Sequence, residues 1–360
     1  MARYKVALIG LGRIASTIDD EVRGNPGVML PYAHMACYRE VPAAEVVAAA
    51  DPYAEQRDAF RRRWGVDRLY ADYREMLARE RPDIVSVATS AKPRPEIVMT
   101  CAEAGVRAIY AEKPLAFSLA EADAMVAACR AHGVTLAVGC TRRWDAYWNA
   151  ARELLDDGEI GRVLQVNGYG RAGLSHNGSH LIDLVRYLAG GNVEWVFGEM
   201  ESDERAAGDD DLMGNGYLAF DNGVRAFVRM WPSGGAEWEF EVIGESGRLR
   251  SLANTREIEW WQTTSSGRQA EPSRRLFPRP QRIESPGVRA ALDLVRCLET
   301  GKVPNCSGED GRAALEVAIA LRQSHRQGGR RVDLPLADRG LLMRSAETLQ
   351  GDLPRALQRA

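Results

Sequence analysis

From Tyr4 to Cys140 the hydrophobic pattern runs as short, nearly continuous apolar stretches: "KVALIGLG", "EVVAAAD", "IVSVATS", "VRAIYAEKP" and "TLAVGC". Segments of helical character separate them, and alternation of this kind predicts a parallel, doubly wound α/β sheet. One helix is well marked, "LAEADAMVAACRA" at 119 to 131, with Ser118 as its N-cap. After Cys140 the texture changes to a helix near 146 to 157, a strand, a histidine-bearing stretch and several strands joined by hairpin-like turns. In "YLAFDNGVRAFVRMW", Asp221, Asn222 and Gly223 separate two alternating runs and tolerate positive φ. A second, α+β domain built on an antiparallel sheet is therefore expected. The stretch 262 to 285, with "TTSSGRQ" and three prolines, reads as an irregular excursion, and 311 to 327 as a closing amphipathic helix. The polar tail beyond Pro335 is either an arm or a loose end. The pattern thus divides the chain into a dinucleotide-type domain (1–140), an α+β domain (141–335) and a tail (336–360).

Composition changes little in this picture. A chain of 360 residues can hold two cores, and 45% hydrophobic with 27% charged residues is ordinary for a globular protein. The net charge of -3 supplies no basic field for nucleic acid or anionic lipid, and Arg61–Arg63 reads as a solvated helix face. No stretch approaches membrane-spanning length and the N-terminus lacks an export signal, so neither nucleic acid nor membrane is expected as a partner. Six cysteines without a CxxC pair suggest neither a disulfide framework nor a structural zinc site; a reducing cytoplasm is the natural compartment.

"VALIGLGRIAS" places Gly10, Gly12 and Ala15 directly after an apolar strand, matching G-x-G-x-x-[GA]. The first glycine permits the tight turn, the second lets backbone approach a pyrophosphate, and the small third residue lets helix and strand pack. Arg13 and Ile14 complete the turn, where free helix amides favour phosphate. Asp51 ends the second strand, where a carboxylate accepts from the adenosine ribose and repels a 2'-phosphate, so NAD is expected over NADP. Arg13 and Arg57 pull the other way if either guanidinium reaches a phosphate. Asp51 comes late because "STIDDEVRGNPGVMLPYAH" intervenes; its glycines and prolines predict a loop at the carboxyl edge of the sheet. That loop reads as a lid, an oligomer contact or plain surface.

With "ADP" at 50 to 52, "AEKPLA" at 111 to 116, "TRRWDAYW" at 141 to 148 and "GSHLIDLVRYLAG" at 178 to 190, the chain resembles the glucose-fructose oxidoreductase / inositol dehydrogenase / MocA family. "EDGRAALEVAIALRQSHRQGGRRVDLPL" is similar to that family's closing helix and strand. The resemblance implies a Rossmann domain followed by an α+β domain with a large open, mostly antiparallel sheet. It implies homodimers or homotetramers through that sheet, and NAD(P)-dependent oxidation or reduction of sugars, glycosides or cyclic polyols. Carried over, Lys113 resembles the catalytic lysine beside the nicotinamide and His180 the proton-exchanging histidine. Thr89 and Glu112 join Gly10, Gly12, Arg13, Ile14, Ala15, Asp51 and Lys113 as cofactor positions. Asp183 and Arg142 correspond to substrate positions, and Trp144 and Asn177 join them as substrate candidates. An aspartate usually stands where this chain has His176.

Oxidising an alcohol requires a base on its hydroxyl while hydride leaves carbon, and an unperturbed imidazole titrates in the right range. Lys113 as a cation stabilises the developing alkoxide and His180 takes the proton, with the two roles exchangeable. His176 offers its neighbour no negative charge; it relays a proton, binds a substrate hydroxyl or points away as a capping residue. Two imidazoles without a third ligand make no zinc site, and no metal is expected. Arg142, Trp144 and Trp148 follow the last Rossmann strand, at the kind of domain junction where clefts form, so at least one should touch substrate. Two rival functions remain. One is a redox-neutral lyase, epimerase or hydrolase that retains NAD through turnover; the other is a non-catalytic dinucleotide sensor.

Overall fold

The structure, a computed structural model, describes residues 4–345 apart from 236, 237, 267, 268 and 282; over 264–270 it describes no side chains. It divides into two compact units, residues 1–145 with 282–312 and residues 146–281 with 313–360.

The first unit opens with β1 (Tyr4–Ile9), α1 (Arg13–Ser16), α2 (Ile18–Val22), α3 (His34–Arg39) and β2 (Ala44–Ala50). It continues through α4 (Ala54–Trp64), β3 (Leu69–Tyr70), α5 (Tyr73–Glu80), β4 (Ile84–Val87), α6 (Arg94–Glu103), β5 (Ala108–Ala111), α7 (Leu119–Ala131) and β6 (Thr135–Val138). The strands form one parallel sheet in the order β3-β2-β1-β4-β5-β6. All five apolar runs are strands of it, buried on both faces as a doubly wound sheet requires. The edge strand β3 is too short to leave a pattern. Ser118 caps α7 reciprocally with Glu121, each side chain bonded to the other's backbone.

The 16–33 insertion is not simply a loop. Asp19, Asp20 and Glu21 fill the first turn of α2, where carboxylates suit the helix dipole. Asp19 Oδ1 then accepts the N–H groups of Tyr32 (2.9 Å) and Ala33 (2.6 Å), folding the return limb back onto the helix. Ser285 Oγ donates to the Pro31 carbonyl at 2.5 Å and pins the same limb again.

The chain continues with α8 (Ala146–Asp156), β7 (Val163–Gly170), α9 (Gly178–Ala189), β8 (Val193–Met200), α10 (Asp203–Ala207), β9 (Gly214–Phe220) and β10 (Arg225–Met230). There follow β11 (Glu239–Gly244), β12 (Gly247–Leu252), β13 (Glu257–Ser266), β14 (Gln269–Arg275), α11 (Pro286–Thr300), α12 (Gly308–Arg326) and β15 (Val332–Asp333). The second unit's sheet runs β14-β13-β12-β11-β7-β10-β9-β8-β15, antiparallel except for the β7–β10 pair. Gly223, at φ +87°, sits in the β9–β10 turn.

Two expectations need correction. The stretch read as irregular from 262 carries most of a hairpin, β13 paired with β14, and only the part beyond Arg275 is irregular. Pro272 misled the reading; it lies in the sheet's edge strand, where one side of the backbone has no ladder to lose. Residues 282–312, assigned from linear order to the second domain, cluster with the first unit. There α11 packs on α3 and on the 3-10 turn Thr141–Trp144. Of the 336–360 tail, the described part is anchored: Leu336 and Met343 are buried, and Leu336 N–H donates to Glu316 at 2.9 Å. Residues 346–360 lie outside the described residues. Among the described residues no helix is long and apolar enough to cross a membrane.

Candidate active site

Within the first unit the predicted cofactor residues gather at the carboxyl ends of adjacent strands β2, β1, β4 and β5, where doubly wound sheets bind ligands. Gly10 takes φ +86°, and a Cβ there would lie 2.9 Å from Thr89 Cγ2 and 3.0 Å from Thr89 N, so the turn admits only glycine. Above Gly12 a Cβ would meet nothing within 4 Å, which leaves the start of α1 open to a close-approaching group. Ala15 is buried, Ile14 half-buried and Arg13 exposed. Asp51 is buried and ties the strand ends together. Its Oδ2 accepts Leu11 N–H at 2.8 Å and its Oδ1 accepts Tyr53 N–H at 2.9 Å. Each oxygen keeps a lone pair for a ribose hydroxyl. Neither arginine named as a phosphate candidate stands idle. Arg13 pairs with Glu21, and Arg57 Nη1 donates to the carbonyls of Asp51 (2.7 Å) and Pro52 (3.0 Å). Thr89 Oγ1 is buried with no partner among the described residues, a polar atom aimed beside the glycine turn. The open Gly12, the Gly10 cradle and this hydroxyl fit a dinucleotide.

The EKP turn follows β5. Glu112 is buried, its Oε1 2.9 Å from His34 Nε2 and its Oε2 accepting Lys113 N–H at 3.2 Å. His34 Nδ1 lies 2.6 Å from Ser86 Oγ. Burial pushes the Glu112 carboxyl up, but the His34 hydrogen bond and the charges of His34, Lys113 and Arg94 overcome it, and the net result is about 2. Glu112 is therefore a carboxylate, and His34 Nε2 donates to it. Lys113 is half-buried. Buried Arg94 donates to the carbonyls of Thr89 and Pro114, clasping the ends of both strand loops. His34 was not among the expected site residues. It stands 78 positions from Glu112, inside a segment read as an insertion, and no local spacing announces the pair.

The "TRRW" element is mainly structural. Trp144 is only 1% exposed, with Nε1 donating to Asp293 Oδ2 at 2.9 Å and its ring edge-on to Tyr110. Its expected role as a sugar platform is corrected: the ring is buried and its donor is committed to Asp293, anchoring α11. Arg143 spends itself on Asp310 (2.9 Å) and the Asn305 carbonyl (3.1 Å). Half-buried Arg142 lies close enough to Tyr32 for its charge to oppose the rise that burial and Glu112 impose on that phenol. Trp148, in the second unit, is likewise buried, edge-on to Phe240.

In the second unit "SHNGSH" straddles a helix start, as Asn177 and Gly178 suggested. Asn177 is the exposed N-cap residue of α9, His180 lies in the first turn, and His176 precedes the helix, so the imidazoles do not share a helical face. The loop folds over Asp211, a second group that sequence reading missed. Asp211 Oδ1 accepts Ser175 N–H (2.9 Å) and Leu212 N–H (3.0 Å), and Oδ2 accepts His176 N–H (2.9 Å). Burial raises the Asp211 carboxyl; these three backbone bonds and Arg205 offset it only in part. Two close approaches shape the loop. A Cβ on Gly173 would lie 2.4 Å from Asp211 Oδ2, and one on Gly178 would lie 2.4 Å from the Gly173 carbonyl oxygen. Asp183 is fully buried, 3.7 Å from Arg186 one turn along α9.

Residues 4–140 match an oxidoreductase family with an NAD-binding Rossmann fold, and residues 152–334 match the C-terminal alpha/beta domain of the same family. A D-apiose dehydrogenase of Paraburkholderia graminis is 31% identical over 351 residues, covering 91% of this chain and 88% of that protein. A myo-inositol 2-dehydrogenase of Thermotoga maritima is 27% identical over 345 residues, covering 89% and 96%. A solved oxidoreductase from Agrobacterium radiobacter, in complex with NAD+, L-tartaric acid and magnesium, has a similar fold. Its TM-score is 0.74 at 21% identity, over 92% of this chain and 98% of that one. Fold and matches together define an oxidoreductase with an NAD-binding Rossmann domain. The chain belongs to the Gfo/Idh/MocA family.

Proposed function

We propose that the protein is an NAD-dependent dehydrogenase acting on a secondary hydroxyl of a sugar, glycoside or cyclic polyol. The observation that carries this reading is the EKP turn on the same sheet edge as the glycine loop, two strands over: a half-buried lysine, its own N–H held by an ionised carboxylate, at the carboxyl end of a dinucleotide-type sheet. Gly10, Gly12, Arg13, Ile14 and Ala15 would hold the phosphates, Asp51 would receive the ribose hydroxyls, and Thr89, Glu112 and Lys113 would serve the nicotinamide end. A bound NAD+ would supply the acceptor for the hydride that leaves carbon. Lys113 stabilises charge on the reacting oxygen, and His180 accepts its proton. His176, Asn177, Arg142 and Asp183 orient the substrate. The Arg13 and Arg57 partners, together with Asp51, favour NAD over NADP.

Residues 1–140, with 282–312 clustered on the same unit, act as the dinucleotide domain, and the rest of 141–335 as the substrate and oligomerisation domain. Across β8, β9 and β10, Phe197, Tyr217 and Phe227 stand in register, each at least 37% exposed, with Trp195 beside them. A row of aromatics on an open sheet suits a second copy of the chain, and a homodimer or homotetramer is the proposed assembly. Six buried, free cysteines suit a cytoplasmic protein.

The test is to purify the protein without added cofactor, identify any nucleotide released on denaturation, and then follow NADH formation with D-apiose, myo-inositol and related polyols and glycosides. Net NADH with one of them supports the reading. Retained NAD with products but no net reduction moves the assignment to a redox-neutral enzyme.

A further inference from the structure

We propose that His34 is a positioning residue for Lys113, acting through the Glu112 carboxylate. The inference rests on the reading of Lys113 as the residue beside the reacting oxygen. His34 opens α3, at the end of the inserted segment, and reaches across to two neighbouring strands of the sheet. Its Nδ1 lies 2.6 Å from Ser86 Oγ on β4, and its Nε2 lies 2.9 Å from Glu112 Oε1 just past β5. The ring rests against Tyr110, centroids 5.0 Å apart. With both nitrogens engaged and one face covered, the imidazole has a single orientation.

That orientation fixes the carboxylate, and the carboxylate fixes the lysine. Glu112 uses one oxygen for His34 and the other for the N–H of Lys113 at 3.2 Å. On the opposite flank Arg94 donates to the Pro114 carbonyl. The Lys113 main chain is thus gripped on both sides, by α3 through Glu112 and by α6 through Arg94. Take away the imidazole and the buried carboxylate must turn toward its other neighbours or gain a proton; either weakens its hold on the Lys113 N–H. Those neighbours are Lys113 in the turn, Arg94 on α6, Tyr110 on β5 and Tyr32 ahead of α3. His34 is 4% exposed and Ser86 fully buried, so neither serves as a base or nucleophile toward substrate. The insertion then has a function: it ends in the side chain that orients the EKP turn.

The test uses the full chain, in which the only lysines are Lys5, Lys92, Lys113 and Lys302. Isotope-labelled reductive methylation makes each of them an NMR reporter, and loss in Lys113→Arg assigns the Lys113 signal. In His34→Ala that signal should move and broaden as it does in Glu112→Gln, with the other three unchanged. His34→Gln, whose amide can still donate toward Glu112, should leave it near the wild-type position. In turnover with NAD+, His34→Ala should lower kcat roughly 10- to 100-fold with KM for NAD+ changed less than about 2-fold, and His34→Gln should recover most of kcat. A Lys113 signal unmoved in His34→Ala but moved in Glu112→Gln overturns the proposal. So does a His34→Gln variant indistinguishable from Glu112→Gln, which remains decisive if His34→Ala does not fold. Full turnover by Lys113→Ala would instead overturn the catalytic reading of the lysine, while the NMR comparison still judges His34.

Discussion

Glu112 in the first unit and Asp211 in the second are both buried carboxylates, and each accepts the N–H of a residue assigned to the chemistry: Lys113 at 3.2 Å and His176 at 2.9 Å. Their electrostatics nevertheless run in opposite directions. Burial pushes both up. Around Glu112 the His34 hydrogen bond and the nearby charges of His34, Lys113 and Arg94 reverse the effect and bring the group to about 2. Asp211 has three backbone amides and the charge of Arg205, and burial wins. Backbone dipoles position a carboxylate as well as cations do, but they stabilise its charge less. The first unit therefore places a firm negative charge beside a lysine. The second holds its histidine loop with hydrogen bonds and little field.

The strongest way to test the contrast is to remove the residues that each carboxylate holds in place. Lys113→Ala should lower kcat/KM by about 100- to 1000-fold or more while NADH binding, read by fluorescence, persists. His180→Ala should fall in the same range by loss of the proton acceptor. His176→Ala should cost less than about 10-fold; if steady-state kinetics rank it below His180→Ala instead, the acceptor belongs at 176. Next in size is Gly173→Ala, which drives a methyl toward Asp211 Oδ2 at 2.4 Å. Chemical denaturation should find it destabilised by about 1–3 kcal/mol, with His176 and His180 chemistry impaired and NADH binding intact.

The smallest effect, and the sharpest for the comparison, is the pH dependence of stability. Folding lowers the Glu112 pKa from 4.5 to about 2, so its contribution is complete above about pH 4.5 and is lost as pH falls toward 2. Folding raises the Asp211 pKa above 3.8, so its contribution is complete below that value and is lost as pH rises through the raised one. Urea midpoints against pH should show a flattened acid limb in Glu112→Gln and a steeper one in Asp211→Asn. Equal slopes in the two variants would end the argument that their surroundings differ.

Much of the first unit was legible because its signals are local. Five apolar runs, an N-cap at Ser118, a glycine turn and the Glu112-Lys113-Pro114 motif each need only a few consecutive residues, and all sit where the pattern put them. The Asp221–Gly223 turn was readable for the same reason. The β13–β14 hairpin was not, since a proline at a sheet edge carries the same letters as a proline in a loop. Trp144 was misjudged because an aromatic in a cleft motif and an aromatic in a core are alike until Asp293 is brought to its indole from 149 residues away.

Fold class, dinucleotide turn, family and the candidate lysine and histidines follow from the order of residues, because period, turn chemistry and short motifs are written in neighbouring positions. Tertiary structure alone decided which groups hold those residues. His34 meets Glu112, Asp211 meets the histidine loop, and α11 returns to the first unit only once the chain has folded. Burial and charge partnership belong to positions in space, and no spacing along the chain encodes them.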